Sequence, residues 1–189
     1  MNFIADMRRA VLAGAYISLA GLAYLKIGGP LGAVLFGLGL LGVIQSESLL
    51  YTGRIYYEKS FLKLGLVILG NVIGCFAVGM MARYAFPDVI ATAEKFIAGR
   101  VADSLLACCI KGAFCGMVMT TAVVGGKKNH WCPLLLGIPF FILSGFYHSI
   151  ADAFYFMVSP TPQYALPWLA IVVGNWIGGK MFFLCKPKE

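Results

Sequence analysis

Residues 70–74 read Gly-Asn-Val-Ile-Gly and residues 174–178 read Gly-Asn-Trp-Ile-Gly, so four of five positions are identical 104 residues apart. Two weaker matches occur in the same order: residues 14–16 (Gly-Ala-Tyr) with 112–114 (Gly-Ala-Phe), and residues 47–49 (Glu-Ser-Leu) with 148–150 (His-Ser-Ile). Matches that keep their order along the chain indicate an internal repeat. We therefore expect a single domain over residues 1–189, with repeat halves at approximately 1–85 and 96–189.

The composition places this domain in a membrane. Of the 189 residues, 60% are apolar and only 12% are charged, and the mean hydropathy is +0.85. A soluble domain usually carries about 25% charged residues, so this chain cannot cover a water-facing surface. A soluble enzyme and a disordered chain are both excluded, and a lipid bilayer becomes the expected partner of the protein.

Six apolar stretches predict six transmembrane helices. They lie at about residues 10–25, 30–45, 61–82, 101–124, 131–157 and 165–185. Three spans per half invert the second half relative to the first, so we expect an all-α membrane protein built as an inverted 3+3 repeat. Polar residues interrupt the apolar pattern at 45–53 and 145–152, which predicts that helices 2 and 5 are broken and line a cavity.

The distribution of positive charge predicts the orientation. The formal net charge is +7, and nine of the fifteen Lys and Arg residues fall in the N-terminus, the 2–3 and 4–5 connections and the tail. By the positive-inside rule, both termini are expected in the cytoplasm and the 3–4 connection outside. The N-terminal apolar run lacks a convincing cleavage pattern, so we expect it to be retained.

Neither a catalytic nor a cofactor site is expected. The six cysteines form no C-x-x-C pair, and five of them lie in or beside apolar runs, which is typical of buried small hydrophobic residues. The chain has only two histidines, without a nucleophile–base or metal-ligand spacing. We expect no enzyme, no metal, no redox centre and no nucleic-acid partner.

Residues 145–152 read Gly-Phe-Tyr-His-Ser-Ile-Ala-Asp and are similar to the G-F-E-H-S-x-A-N signature of the formate/nitrite transporter family. Residues 50–53 (Leu-Tyr-Thr-Gly) resemble its L-F-T-G/S loop, and residues 13–18 (Ala-Gly-Ala-Tyr-Ile-Ser) resemble its A-G-x-x-I-S pattern. The resemblance implies an aquaporin-like six-helix protomer and a homopentamer in the bacterial cytoplasmic (inner) membrane. It also implies one pore per protomer for small monovalent anions such as formate, nitrite, hydrosulfide, acetate or lactate.

The resemblance also implies roles for individual residues. His148 would be the central pore histidine with Thr52 opposite it, and Lys95, reached by counting back from His148 without gaps, would be the vestibule lysine. Two apolar constrictions would flank the histidine: Phe36, Leu40 and Phe141 on the outer side, and Leu50 and Tyr51 on the inner side.

The physical chemistry of an apolar constriction favours protonation of the anion. A dehydrated anion costs many kcal/mol in such a slit, whereas the neutral acid costs far less. Protons are therefore expected to accompany the anion. We expect His148, held between apolar rings, to polarise a water molecule rather than to donate its own proton.

Three residues depart from the family pattern near the pore. Tyr147 replaces Glu, Asp152 replaces Asn, and Lys111 stands where Asn is usual. A lysine at mid-membrane is costly unless it is paired, so we hypothesise an ion pair between Lys111 and Asp152, with Glu47 as a possible third member. An unpaired Lys111 facing the pore would instead be an anion site.

Two other functions are kept as alternatives. An aquaporin-like channel for small neutral solutes shares the inverted plan, but this chain lacks the twin Asn-Pro-Ala motifs, since no proline follows an asparagine. The second alternative is a non-transporting membrane subunit, for which the short loops offer little docking surface.

Overall fold

The computed structural model describes residues 3–185, with side chains described up to residue 181. Lys186 and Lys188, which entered the expected cytoplasmic charge, lie outside the described residues. Within this range there are nine α-helices: α1 (Phe3–Ile27), α2 (Gly29–Gln45), α3 (Tyr51–Arg54), α4 (Phe61–Ala85), α5 (Ile90–Ala102), α6 (Leu105–Lys127), α7 (Trp131–Leu143), α8 (Ser149–Val158) and α9 (Ala165–Cys185). Short 3-10 turns lie at Pro87–Val89 and Pro162–Tyr164.

Three of the described helices, α1, α4 and α6, are long and apolar enough to cross a membrane. Serine residues begin two of them: the Ser60 side chain accepts a hydrogen bond from Lys63 N, and the Ser104 side chain accepts one from Ala107 N. Such a cap satisfies one of the amide groups that a helix leaves unpaired at its start. Helix α5 lies in the segment expected only as a charged outer loop, so the sequence pattern missed it.

Glycines bring the long helices into close contact. Helix α1 packs against α4, and α6 packs against α9. A side chain at Gly14 would overlap the backbone of Asn71, and one at Gly116 would overlap the backbone of Asn175. Small residues at such crossings let the two backbones approach, which is the usual basis of helix packing in membranes.

These contacts do not follow the register of the two weaker sequence matches. Gly14 approaches Asn71 and Gly116 approaches Asn175 in the same way, so the contact of Gly14 is reproduced one helical turn beyond Gly112. In the loops, Glu47 (φ 52°) and Gly145 (φ 71°) both have positive φ, each two residues beyond the end of a helix. Similar contacts and backbone angles therefore occur at positions whose side chains differ, which short stretches of similar residues do not reveal.

The remaining short helices occur in two consecutive pairs. Helix α2 ends at Gln45 and α3 begins at Tyr51, while α7 ends at Leu143 and α8 begins at Ser149. The intervening residues 46–50 and 144–148 are not helical. Their backbone groups therefore need hydrogen-bond partners outside a helix.

Candidate functional site

Asn71 of α4 forms hydrogen bonds with the first non-helical segment, on either side of Leu50. Its amide Nδ2 donates to the carbonyl oxygens of Ala10 and Leu49, both at 2.8 Å. Its Oδ1 accepts from the backbone N–H of Tyr51 at 2.9 Å. The completely buried asparagine therefore ties the start of α3 to α1.

Asn175 of α9 does the same in the second half. Its Nδ2 donates to the carbonyl oxygens of Gly112 and Tyr147 at 2.8 and 2.9 Å, and its Oδ1 accepts from Ser149 N at 2.9 Å. Asn71 bonds the residues before and after Leu50, and Asn175 bonds the residues before and after His148. The glycine-asparagine pairs thus position the segments that carry the candidate site.

His148 and Thr52 meet in the interior. The Nε2 of His148 and the Oγ1 of Thr52 are 2.9 Å apart, and both side chains are buried. The Nδ1 of His148 accepts a hydrogen bond from Ala151 N at 3.1 Å, so this nitrogen carries a lone pair. In the neutral ring the proton is then on Nε2, which donates to Thr52.

A cavity of about 130 Å³, which we call the aromatic cavity, opens on one side of this pair. His148, Phe36, Phe141 and Arg100 are among its lining residues. The ring of Phe36 meets that of Phe141 edge-on, with centroids 6.2 Å apart, and Phe141 stacks against the imidazole at 5.8 Å. These rings therefore form part of the cavity wall beside the histidine.

A second cavity, which we call the basic cavity, has a volume of about 520 Å³. Arg9, Arg54 and Lys127 line it, together with Leu50 and Gly53. Thr52 lies between those last two residues in the chain, so the Thr52–His148 hydrogen bond connects segments that line the two cavities.

The charged residues do not form the pair hypothesised from the sequence. Lys111 Nζ binds Asp103 Oδ2 at 2.7 Å and donates to the Tyr147 hydroxyl, and Asp152 binds Arg100 instead. The Lys111–Asp152 prediction is therefore wrong. A lysine side chain leans towards the N-terminus of its helix, and there Lys111 meets Asp103, two residues before α6 begins.

Glu47 is also not a third member of that cluster. Its backbone oxygen accepts hydrogen bonds from the Arg9 guanidinium, and its exposed carboxylate is 3.9 Å from the same group. The residue lies at the mouth of the basic cavity. This contact joins α1 to the non-helical segment before α3.

Lys95 is exposed, and Arg100, five residues later on α5, lines the aromatic cavity. Five residues on a helix turn the side chain through about 140°, so Lys95 and Arg100 lie on different faces of α5, and the vestibule role of Lys95 stays a prediction. Sequence reasoning counted Arg100 only as a loop charge. The one available signal was that it lies in the same charged segment as Lys95.

Two expected constriction residues, Leu40 and Tyr51, are buried in the core. Leu40 is fully buried. Tyr51 is buried, and its hydroxyl donates to the carbonyl oxygen of Val172 at 3.1 Å. The tyrosine therefore also connects α3 to α9.

The described cysteines are free thiols that differ in their burial. Cys75, Cys108 and Cys115 are buried as free thiols, Cys109 is half-buried, and Cys132 is exposed. Among the described residues, no group of three or more His, Cys, Asp or Glu residues is placed to hold a metal ion.

Hydrogen bonds lower the pKa of the Asp103 carboxyl, the larger effect coming from the Lys111 ammonium and the next from the Tyr147 hydroxyl.

Comparison with known proteins identifies this arrangement. Curated protein sequences give no match. A solved pentameric formate channel with formate bound has a TM-score of 0.82 and 19% sequence identity, over 95% of this chain and 94% of that chain. An FNT family ion channel has a TM-score of 0.84 and 20% identity, over 96% and 88%. The formate/nitrite transporter family model matches residues 1–186, and this protein therefore belongs to the formate/nitrite transporter family.

Proposed function

We propose that this protein is a channel for small monovalent weak-acid anions of the formate, nitrite, hydrosulfide, acetate or lactate class. The observation that carries the proposal is the buried Thr52–His148 hydrogen bond, which joins segments that line two different cavities. Three cations line one of those cavities, so an anion is attracted to it. Family membership and the formate channel among its structural neighbours point to the same class of solute.

The proposed architecture has six spans in an inverted 3+3 repeat, with halves at approximately 1–85 and 96–189. The pairs α2–α3 and α7–α8 would be the broken second and fifth spans. The matching hydrogen bonds of Asn71 and Asn175 support this proposal, because one residue type serves the same backbone positions in both halves. Five such protomers would form a pentamer, as in the pentameric formate channel.

The basic cavity is proposed to face the cytoplasm of a bacterial inner membrane. Arg9, Arg54 and Lys127 line this cavity and belong to segments that the positive-inside rule assigns to that side. Both termini would then be cytoplasmic, and the aromatic cavity would face outwards.

Two apolar constrictions would exclude hydrated ions on either side of His148. Phe36, Leu40 and Phe141 would form the outer one, and Leu50 and Tyr51 the inner one. An anion crossing such rings loses its hydration, whereas its neutral acid crosses at far lower cost. The permeating species would therefore be the protonated acid.

His148 would act through Thr52 rather than as a free proton donor. Its Nδ1 is occupied by Ala151 N–H, and its Nε2–H is given to Thr52. The Thr52 hydroxyl keeps its own hydrogen, which it can donate to an oxygen of the passing acid. The pair would thus replace part of the lost hydration of the substrate.

A flux assay in proteoliposomes tests this function. Formate, nitrite, hydrosulfide and acetate should each enter liposomes containing the protein faster than protein-free liposomes, and faster as the external pH falls. The His148→Phe variant should lose most of this flux, whereas Thr121→Ala, at an exposed hydroxyl on α6, should keep it. If none of these anions crosses, the proposal fails, and swelling in a neutral solute would then indicate an aquaporin-like channel.

A further inference from the structure

A buried ion pair lies in the aromatic cavity beside His148. Asp152 on α8 is 1% exposed, and its Oδ1 accepts a hydrogen bond from Arg100 Nε at 2.9 Å. Both residues line the cavity. The site therefore already contains one carboxylate bound to one guanidinium.

Arg100 is held in place without Asp152. Its Nη1 donates to the carbonyl oxygen of Phe96 at 3.0 Å. Its guanidinium lies 4.5 Å from the ring centroid of Tyr147, 5.4 Å from that of Phe96 and 5.9 Å from that of Tyr155. Such ring contacts attract a cation, so Arg100 would stay at the cavity if its carboxylate were exchanged for another.

The second oxygen of Asp152 is not used in the same way. Oδ2 is buried and makes no hydrogen bond of ordinary geometry within the described part of the chain. The Tyr164 hydroxyl interacts with the carboxyl group, but the two groups do not form a hydrogen bond of ordinary geometry. The titratable groups that interact with Asp152 are Arg100 from α5, Tyr164 from the 3-10 turn, Cys108 and Cys115 from α6 and Tyr155 from α8. Tyr24, Tyr147 and His148 line the same cavity, and the Asp103–Lys111 ion pair lies beyond Arg100. Of the groups that interact with Asp152, Arg100 carries a charge at neutral pH.

We propose that Asp152 carries a proton to the anion. The anion replaces the Asp152 carboxylate on the Arg100 guanidinium, and the freed carboxylate takes a proton from solution. This inference rests on the proposed function. The proton then passes within the cavity: the O–H bond of protonated Asp152 breaks, an O–H bond forms on the anion, and the neutral acid leaves. The Asp152 carboxylate returns to Arg100, which restores the starting state.

The balance of charge couples the two events. One guanidinium can neutralise one carboxylate, and a second uncompensated negative charge in a buried cavity is costly. The anion therefore binds when Asp152 is protonated, and Asp152 is protonated when the anion occupies Arg100. One proton should cross with each anion, so transport should carry no net charge.

The step requires an acid at position 152. The family signature has Asn there, and an amide cannot carry the proton. His148 does not compete for the role, because both of its ring nitrogens are engaged. The departures at Tyr147 and Asp152 then belong to one site, since the Tyr147 ring covers the guanidinium that Asp152 binds.

The test compares proton and formate uptake in the same proteoliposomes, with an internal pH dye and labelled formate. Wild type should take up one proton per formate with no change in membrane potential. Asp152→Asn should reduce proton-coupled formate uptake by about a hundredfold, and Asp152→Glu should retain the one-to-one ratio. Glu94→Gln, which alters an exposed carboxylate on α5, should match wild type.

An Asp152→Asn variant with the wild-type ratio and pH profile would overturn the proposal. If that variant does not fold, infrared difference spectra of wild type with labelled formate decide instead. A protonated-carboxyl band from the protein on formate binding supports the carrier role, and its absence refutes it. Wild type that passes no weak acid would refute the proposed function itself, which is a separate outcome.

Discussion

Replacing Asn175 with alanine is expected to lower the free energy of unfolding by about 2–6 kcal/mol. The side chain is completely buried and makes three hydrogen bonds to the backbone. Gly112 lies within α6, where its carbonyl keeps a helical partner. The Tyr147 carbonyl and the Ser149 amide lie at the non-helical segment, so each loses its recorded partner, at about 1–3 kcal/mol for each group.

Thermal unfolding of the purified protein in detergent measures this loss. For a chain of this size, each kcal/mol shifts the unfolding midpoint by about 2–4 °C, so Asn175→Ala should unfold about 4–24 °C below wild type. Asn71→Ala should show a loss of similar size, because its bonds follow the same pattern. Thr121→Ala removes a hydrogen bond within α6 and should change stability by less than about 0.5 kcal/mol. A midpoint for Asn175→Ala equal to that of Thr121→Ala would refute the reasoning.

Three further outcomes are expected. Gly178→Ala would drive its Cβ into the backbone of Ala113 and should cost about 1–3 kcal/mol or more, whereas Gly65→Ala meets no atom within 4 Å; equal unfolding midpoints would contradict this. Thr52→Val keeps the side-chain shape but leaves the Nε2–H of His148 without its acceptor, so formate flux should fall by about tenfold, corresponding to 1.4 kcal/mol; an unchanged initial rate would argue against the pair. The pKa of Asp103 is lowered in the folded state, so its contribution to stability is present above the unfolded pKa and is lost as pH falls through the folded pKa. The difference in unfolding midpoint between wild type and Asp103→Asn should therefore shrink below about pH 4, and a constant difference would count against this linkage.

Several features could be predicted from the sequence because they depend on residues that are close together in the chain. The excess of apolar residues required a membrane, and a family signature of eight consecutive positions located His148. The two glycine-asparagine pairs indicate a repeat, and each asparagine bonds the backbone on both sides of one loop residue, Leu50 for Asn71 and His148 for Asn175. Each of these features depends on residue types at short spacing, which a linear pattern contains.

The tertiary structure decided the contacts between distant segments. Asp152 binds Arg100 rather than Lys111, Lys111 binds Asp103, and Lys95 lies outside the cavity that Arg100 lines. A long charged side chain can reach several partners of opposite sign, and the choice depends on which helix face is turned inwards. The sequence by itself therefore determined that a buried histidine and compensated charges would be present. Only the packing of α5 against α8 decided which charges share the cavity, because a salt bridge depends on distances in space that spacing along the chain does not contain.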